Sequence, residues 1–184
     1  MFLYKTPVAL LGAPLMLLGV SVVAHGQEVK HPCLLVTAEQ IEEIKKNIDT
    51  YPWAKELWEK VKGYADRAVV SSDVGNVCVW ETGLAYALTK EEKYKEPIRR
   101  YLLALSKRPA DQISWQWGPR PVQAPMLYDM TYALFSEEEH SKIQAYFRGQ
   151  ARAEIEVRKT EYPTPNMSAH AHMSVGLIGF CLGG

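Results

Sequence analysis

The chain has 184 residues, of which 47% are hydrophobic and 23% are charged, and its formal net charge at pH 7 is zero. This composition is sufficient for one domain with a hydrophobic core. Basic and acidic residues are interleaved, as in "KEEKYKEPIRR", so no cationic face for nucleic acid is expected. No cofactor is predicted.

Residues 1–26 are typical of a secretory signal peptide, and residues 27–184 form the predicted domain. Lys5 precedes an apolar run that continues to Ala24, and small residues follow it. The alternative is an uncleaved anchor, but glycines and a proline interrupt the run, which is near the lower length limit for a membrane span. We therefore expect an exported protein, periplasmic or secreted, that has no stable association with the membrane after cleavage.

The first two helices are predicted from local signals. Thr37 and Gln40 are spaced as a capping box, and isoleucines at helical spacing follow them. Pro52 is suited to the first position of the second helix, because its missing N–H has no partner there. One apolar stripe, with Trp58 and Ala65 beside it, is expected to be the buried face of this helix: Trp53, Leu57, Val61, Tyr64 and Ala68.

The middle of the chain predicts alternating buried and amphipathic helices. The segment "VCVWETGLAYAL" is mostly apolar, and Gly83 within it suggests a close helix contact. Thr89 and Glu92 are spaced as a second capping box, before a helix over 97–107. Residues 122–135 predict another buried helix that starts near Pro125, and Ser136 with Glu139 predicts a third box.

The fold class predicted from these elements is all-α, because no stretch alternates as a strand does. Short connections between helices predict consecutive antiparallel helical hairpins. Alternation of buried and amphipathic helices indicates an inner set covered by an outer set, as in an (α/α) toroid or some solenoids.

The stretch "NMSAHAHMSVGLIG" is the main candidate for a functional site. On a helix that begins near Asn166, residues 166 and 170 share a face, whereas His172 lies about 200° around from His170. The two histidines therefore do not suit a single metal ion. Two interpretations remain: Asn166 is an N-cap with packed or solvent-facing histidines, or Asn166 and one histidine bind an anionic substrate.

Three segments resemble heparinase II/III-like and alginate-lyase-like proteins. They are "HPCLLVTAEQIEEIKKNI", "APMLYDMTYALFSEEEHSKIQAYFR" and "NMSAHAHMSVGLIGFCLG", and the resemblance covers residues 31–184. It implies an (α/α) toroid, incomplete in this chain, that cleaves uronic-acid polysaccharides by β-elimination. By resemblance, Asn166 contacts the uronate carboxylate, and His170 or His172 neutralises it or acts as the base. The resemblance places the catalytic tyrosine further along the chain, so Tyr162 is not assigned that role.

A second candidate site is the loop "SWQWGPRP". Trp115 and Trp117 could stack on sugar rings, and Arg120 could pair with a uronate; alternatively, the tryptophans cover the end of a helix pair. Two rival functions remain open, a non-catalytic carbohydrate-binding module and a toroid hydrolase. The hydrolase needs two carboxylates that flank the scissile bond, and nothing in the sequence pairs Asp129 with Glu81.

Overall fold

The computed structural model describes residues 29–71, 79–109, 120–160 and 165–183, so the predicted signal peptide lies outside it. Within these ranges the chain is helical without a β-strand, which confirms the all-α prediction. The α-helices described are α1 (Ala38–Thr50), α2 (Pro52–Val70), α3 (Val79–Thr89), α4 (Lys95–Leu105), α5 (Arg120–Met130), α6 (Glu137–Thr160) and α7 (Pro165–Leu182). Short 3-10 helices, Glu92–Tyr94 and Tyr132–Leu134, precede α4 and follow α5.

The helices pack in two rows. In the first row α1 contacts α3, α3 contacts α5 and α5 contacts α7. In the second row α2 contacts α4, and α4 contacts α6. Contacts between the rows join consecutive helices, such as α1 with α2 and α6 with α7. The chain therefore crosses from one row to the other at successive helices.

Two of the predicted capping boxes are present. At the start of α1, the Gln40 N–H donates to the Thr37 hydroxyl at 3.3 Å, and the Gln40 side chain accepts from the Thr37 N–H at 2.9 Å. At the start of α6, Glu139 and Ser136 make the same reciprocal pair at 3.4 and 3.0 Å. Pro52 occupies the first turn of α2 as predicted. These helix starts follow from local sequence because each cap satisfies N–H groups within its own first turn.

The capping box predicted at Thr89 is wrong. The Thr89 hydroxyl donates to the Ala85 carbonyl at 2.8 Å and accepts from the Glu91 N–H at 3.2 Å, so it ends α3 instead of starting a helix. Lys90 follows with φ of 57°, a left-handed conformation common just after a helix. A 3-10 turn comes next, and α4 begins at Lys95, two residues before the predicted start at residue 97.

The predicted bounds of the fifth helix are also wrong. Helix α5 begins at Arg120, so Pro125 lies inside it, and it ends at Met130 instead of continuing to residue 135. The carbonyl that the missing Pro125 N–H would have bonded lies in the first turn, where the cost is smaller than in a helix centre. Beyond Met130, the chain turns through the 3-10 helix Tyr132–Leu134 into α6.

The stripe predicted as the buried face of α2 lies mostly on the outside. Trp53 is 64% exposed, Leu57 56% and Tyr64 44%, whereas Ala68 is buried. The buried positions of α2 are alanines, Ala54, Ala65 and Ala68, and this helix contacts α1 and α3. Small side chains let helices approach closely, so the alanine face packs inward and the aromatic face remains exposed.

The contact predicted at Gly83 is confirmed. A Cβ atom at this position would lie 2.5 Å from Leu127 Cδ1, so α3 and α5 approach too closely for a larger residue without a shift. The core around this contact contains large side chains that are almost fully buried, among them Tyr94, Ile98, Leu102, Tyr128, Ile143 and Phe147. Among the helices described, none has the length and hydropathy that crossing a bilayer requires.

Candidate functional site

The stretch singled out in the sequence forms the first turns of α7. The helix begins at Pro165, so Asn166 lies inside the first turn, and the interpretation of Asn166 as the N-cap is wrong. The side chains of Asn166 and His170 lie outside the described part of the structure, but their backbone positions are helical. His172 is exposed.

The helical register separates the two histidines. Among the α7 residues whose side chains the structure describes, 172–182, the buried ones are Ser174, Ile178 and Cys181. At about 100° per residue, position 170 lies about 40° from Ser174 and about 20° from Cys181, whereas His172 lies about 160° from Ser174. In helical phase, position 170 therefore lies close to Ser174 and Cys181, and His172 lies on the opposite side of the helix.

Helix α6 carries two polar residues in its buried row. Its buried row continues from Ile143 and Phe147 to Gln150 and Glu154, which are 6% and 4% exposed. Helix α6 packs against α7, and four residues, 161–164, connect the two helices. At a rise of about 1.5 Å per residue, Glu154 lies about 9 Å from the C-terminal end of α6, and position 170 lies about 8 Å from the N-terminal end of α7. Sequence reasoning missed Gln150 and Glu154, although the spacing of residues 143, 147, 150 and 154 placed them on one face.

The second predicted site is not tested by the described residues. Trp115 and Trp117 lie outside them, and Arg120 is the first residue of α5 with its side chain also outside. An open groove of about 500 Å³ elsewhere is lined by residues of α4 and its neighbours, among them Lys95, Glu96 and Arg99. None of its lining residues belongs to α7, so this groove does not extend the stretch at Asn166.

A polar cluster that sequence reasoning did not predict joins the N-terminal segment to α5. The Asp129 carboxylate is fully buried, and it accepts from the backbone N–H of Leu34 at 2.8 Å and of Cys33 at 2.9 Å. Its other oxygen lies 2.6 Å from His31 Nδ1 and accepts from the Cys33 thiol at 3.4 Å. A buried carboxylate is stable only when such partners replace water. His31 and Cys33 of the "HPC" segment, with the next residue Leu34, are thus the partners of one aspartate.

A stack of rings extends from this cluster into the core. The His31 ring stacks on Tyr132 with centroids 3.9 Å apart, and Tyr132 stacks on His140 at 4.1 Å. His140 Nδ1 lies 2.6 Å from the Tyr128 hydroxyl, which also accepts from Gln144 at 3.2 Å. Burial lowers the pKa of His140 and raises the pKa of Tyr128 well above its usual value. Both groups are therefore held neutral at physiological pH.

The chemistry of this cluster does not match a hydrolase. Although Cys33 is exposed, partial desolvation of its sulfur and, to a lesser degree, Asp129 raise the pKa of the Cys33 thiol to about 11, so this thiol is protonated at neutral pH and is a poor nucleophile. Asp129 is engaged by the N-terminal segment, which leaves it poorly placed as one of two carboxylates across a glycosidic bond. His31, Cys33 and Asp129 do bring together three atoms that are common metal ligands.

Comparison with models of known protein families finds no match to this chain, and a search of curated proteins finds none either.

Proposed function

We propose that this chain is the N-terminal helical part of an exported, polysaccharide-lyase-like protein that cleaves uronic-acid polysaccharides by β-elimination. In this proposal the two rows of helices are part of an (α/α) toroid. Two features support it: the order of the three resembling segments, and a chain path that alternates between rows at successive helices. Exposed apolar side chains on α2 and α7, such as Trp53 and Phe180, provide surfaces on which further helices would pack.

The observation that carries the site is the register of α7. Positions 166 and 170 lie one turn apart at the start of this helix, where the backbone N–H groups favour a bound carboxylate. The Asn166 amide would donate to the uronate carboxylate, and the imidazole at position 170 would neutralise it or remove the neighbouring proton. Both roles stabilise charge that grows in the transition state.

The reaction class can be tested on the full-length protein with a polyuronate substrate. We expect new chain ends that carry the UV-absorbing unsaturated uronate, because β-elimination forms a double bond when the glycosidic oxygen leaves. Asn166→Ala should lower kcat by about 100- to 1000-fold, which corresponds to about 3–4 kcal/mol for a lost donor of this kind. New reducing ends without UV absorbance would indicate hydrolysis and overturn the proposal.

Export is part of the same proposal. Lys5 and the apolar run up to Ala24 predict that the mature chain begins between His25 and Gln27. Intact-mass analysis of the protein from the periplasm or medium checks this start. A product that retains Met1 in the membrane fraction would contradict cleavage and indicate an anchor.

A non-catalytic carbohydrate-binding function is the second candidate, and the exposed face of α2 favours it. The rings of Tyr51 and Trp53 lie 6.1 Å apart and both are exposed, an arrangement on which sugar rings could stack. Binding of a polyuronate without any cleavage, together with its loss in Trp53→Ala, would favour this candidate over the lyase.

A further inference from the structure

The N-terminal segment and α5 bring together three side chains that differ in ligand chemistry. The ligand atoms of His31, Cys33 and Asp129 all lie within 4.8 Å of one another. An imidazole nitrogen, a thiolate sulfur and a carboxylate oxygen are the three ligand types that Zn²⁺ accepts in proteins. We propose that these three residues bind a transition-metal ion, and that Zn²⁺ is the metal that this donor set suits best.

The two oxygens of the Asp129 carboxylate share the Cys33 N–H, which also lies 3.1 Å from Oδ1, but their other partners differ. Oδ2 accepts from the backbone N–H groups of Cys33 and Leu34, at 2.9 and 2.8 Å. Oδ1 faces the two side chains, His31 Nδ1 at 2.6 Å and Cys33 Sγ at 3.4 Å. A metal ion on Oδ1 would leave both backbone hydrogen bonds on Oδ2 in place, and those bonds would hold the carboxylate in orientation.

One of the distances among these atoms already matches a tetrahedral zinc site, and a second requires a small movement of His31. With Zn–S of about 2.3 Å and Zn–N and Zn–O of about 2.1 Å, a tetrahedron separates sulfur and oxygen by about 3.6 Å and nitrogen and oxygen by about 3.4 Å. The sulfur–oxygen distance of 3.4 Å already fits. The nitrogen–oxygen distance must widen from 2.6 Å. The His31 ring can slide in its own plane to allow this, because it stacks face to face on Tyr132.

The location of the cluster allows an ion to enter from solvent. Cys33 is exposed, and the His31 side chain is 10% exposed, while Asp129 forms the buried floor. Three protein ligands would leave a fourth position for water at the exposed side. The thiol proton would pass to solvent as the metal–sulfur bond forms. The ion would cross-link the N-terminal segment to α5, and this role is independent of the proposed lyase activity.

Cobalt binding to the purified, reduced and chelator-treated full-length protein tests the site, because a thiolate ligand gives Co²⁺ a charge-transfer band in the near ultraviolet. We expect one equivalent of Co²⁺ to produce the band, and Zn²⁺ to remove it by competition. Cys33→Ser should abolish the band while keeping a hydroxyl near Asp129. His31→Gln should weaken Co²⁺ binding by at least about tenfold.

His172→Gln is the matched control, because it removes a histidine outside the cluster, and it should keep the band. Far-UV circular dichroism verifies that each variant is folded. Absence of the band in the wild-type protein would overturn the proposal, and so would a band that persists in Cys33→Ser. In either case the cluster would be a hydrogen-bonded anchor alone.

Discussion

The Asp129 cluster and the α6–α7 hairpin both bury polar side chains, but they join parts of the chain with very different separations in sequence. Asp129 binds Cys33 across 96 residues of sequence, so its hydrogen bonds fix the N-terminal segment on α5. Gln150, Glu154 and Ser174 lie on two helices that are adjacent in the chain. Loss of the long-range contacts would release the N-terminal segment from α5, whereas α6 and α7 are consecutive helices that pack on each other. We therefore expect the Asp129 contacts to contribute more to stability, while the proposed catalytic site lies on α7.

Asp129→Ala is expected to have the largest effect on stability. It removes the acceptor of two backbone N–H groups and the partner of His31, so the free energy of unfolding should fall by about 3–5 kcal/mol. Urea denaturation measures this change. Glu42→Ala is the control, because Glu42 pairs with Lys45 at an exposed site and should contribute less than about 1 kcal/mol. If both variants lowered the free energy of unfolding equally, the Asp129 contacts would not have the special stabilising role expected of them.

Gly83→Ala tests how much an apolar contact between helices contributes to stability. The new Cβ would lie 2.5 Å from Leu127 Cδ1, and overpacking should lower the free energy of unfolding by about 1–2 kcal/mol despite the better helix propensity. In contrast, Gly63→Ala on the exposed face of α2 meets nothing within 4 Å. It should raise stability by about 0.5–1 kcal/mol. Thermal or urea unfolding of the pair tests whether α3 and α5 approach as closely as described.

A smaller effect is expected from pH. Burial lowers the pKa of His140 below its ordinary value of 6.5, so the unfolded chain binds a proton more readily than the folded protein as the pH falls below 6.5. Stability should therefore be highest above that pH and decrease as the pH falls through this range. His140→Gln should reduce the decrease. If wild type and variant lose stability in parallel between pH 7 and 5, His140 is not the group responsible.

The sequence predicted helix starts correctly where the residues of a single helical turn determine them. Thr37 with Gln40, Pro52 and Ser136 with Glu139 each mark a helix start through bonds to their own first turn. The face of α2 could not be predicted in this way. Apolar spacing shows that a stripe exists, but whether Trp53 or Ala65 packs inward depends on where α1 and α3 lie.

Of the two polar regions, the start of α7 could be singled out from the sequence and the Asp129 cluster could not. Asn166 and His170 are neighbours in the sequence, so helical periodicity alone relates their positions. The partners of Asp129 lie more than 90 residues away, and no local pattern connects them. Thr89 illustrates a third difficulty, because the spacing of a Ser or Thr and a Glu or Gln three residues later begins helices at Thr37 and Ser136, whereas Thr89 is the last residue of α3.

The proposal that Asn166 and His170 form the catalytic site is tested most directly by the relative effect of the two histidines on catalysis. In the full-length protein, kcat for release of unsaturated uronate is compared between His170→Ala and His172→Ala. Position 170 lies one helical turn from Asn166, whereas His172 lies on another side of α7, so we predict a loss of about 100- to 1000-fold for His170→Ala and near-normal turnover for His172→Ala. Near-normal turnover in His170→Ala, or a larger loss in His172→Ala, would contradict it.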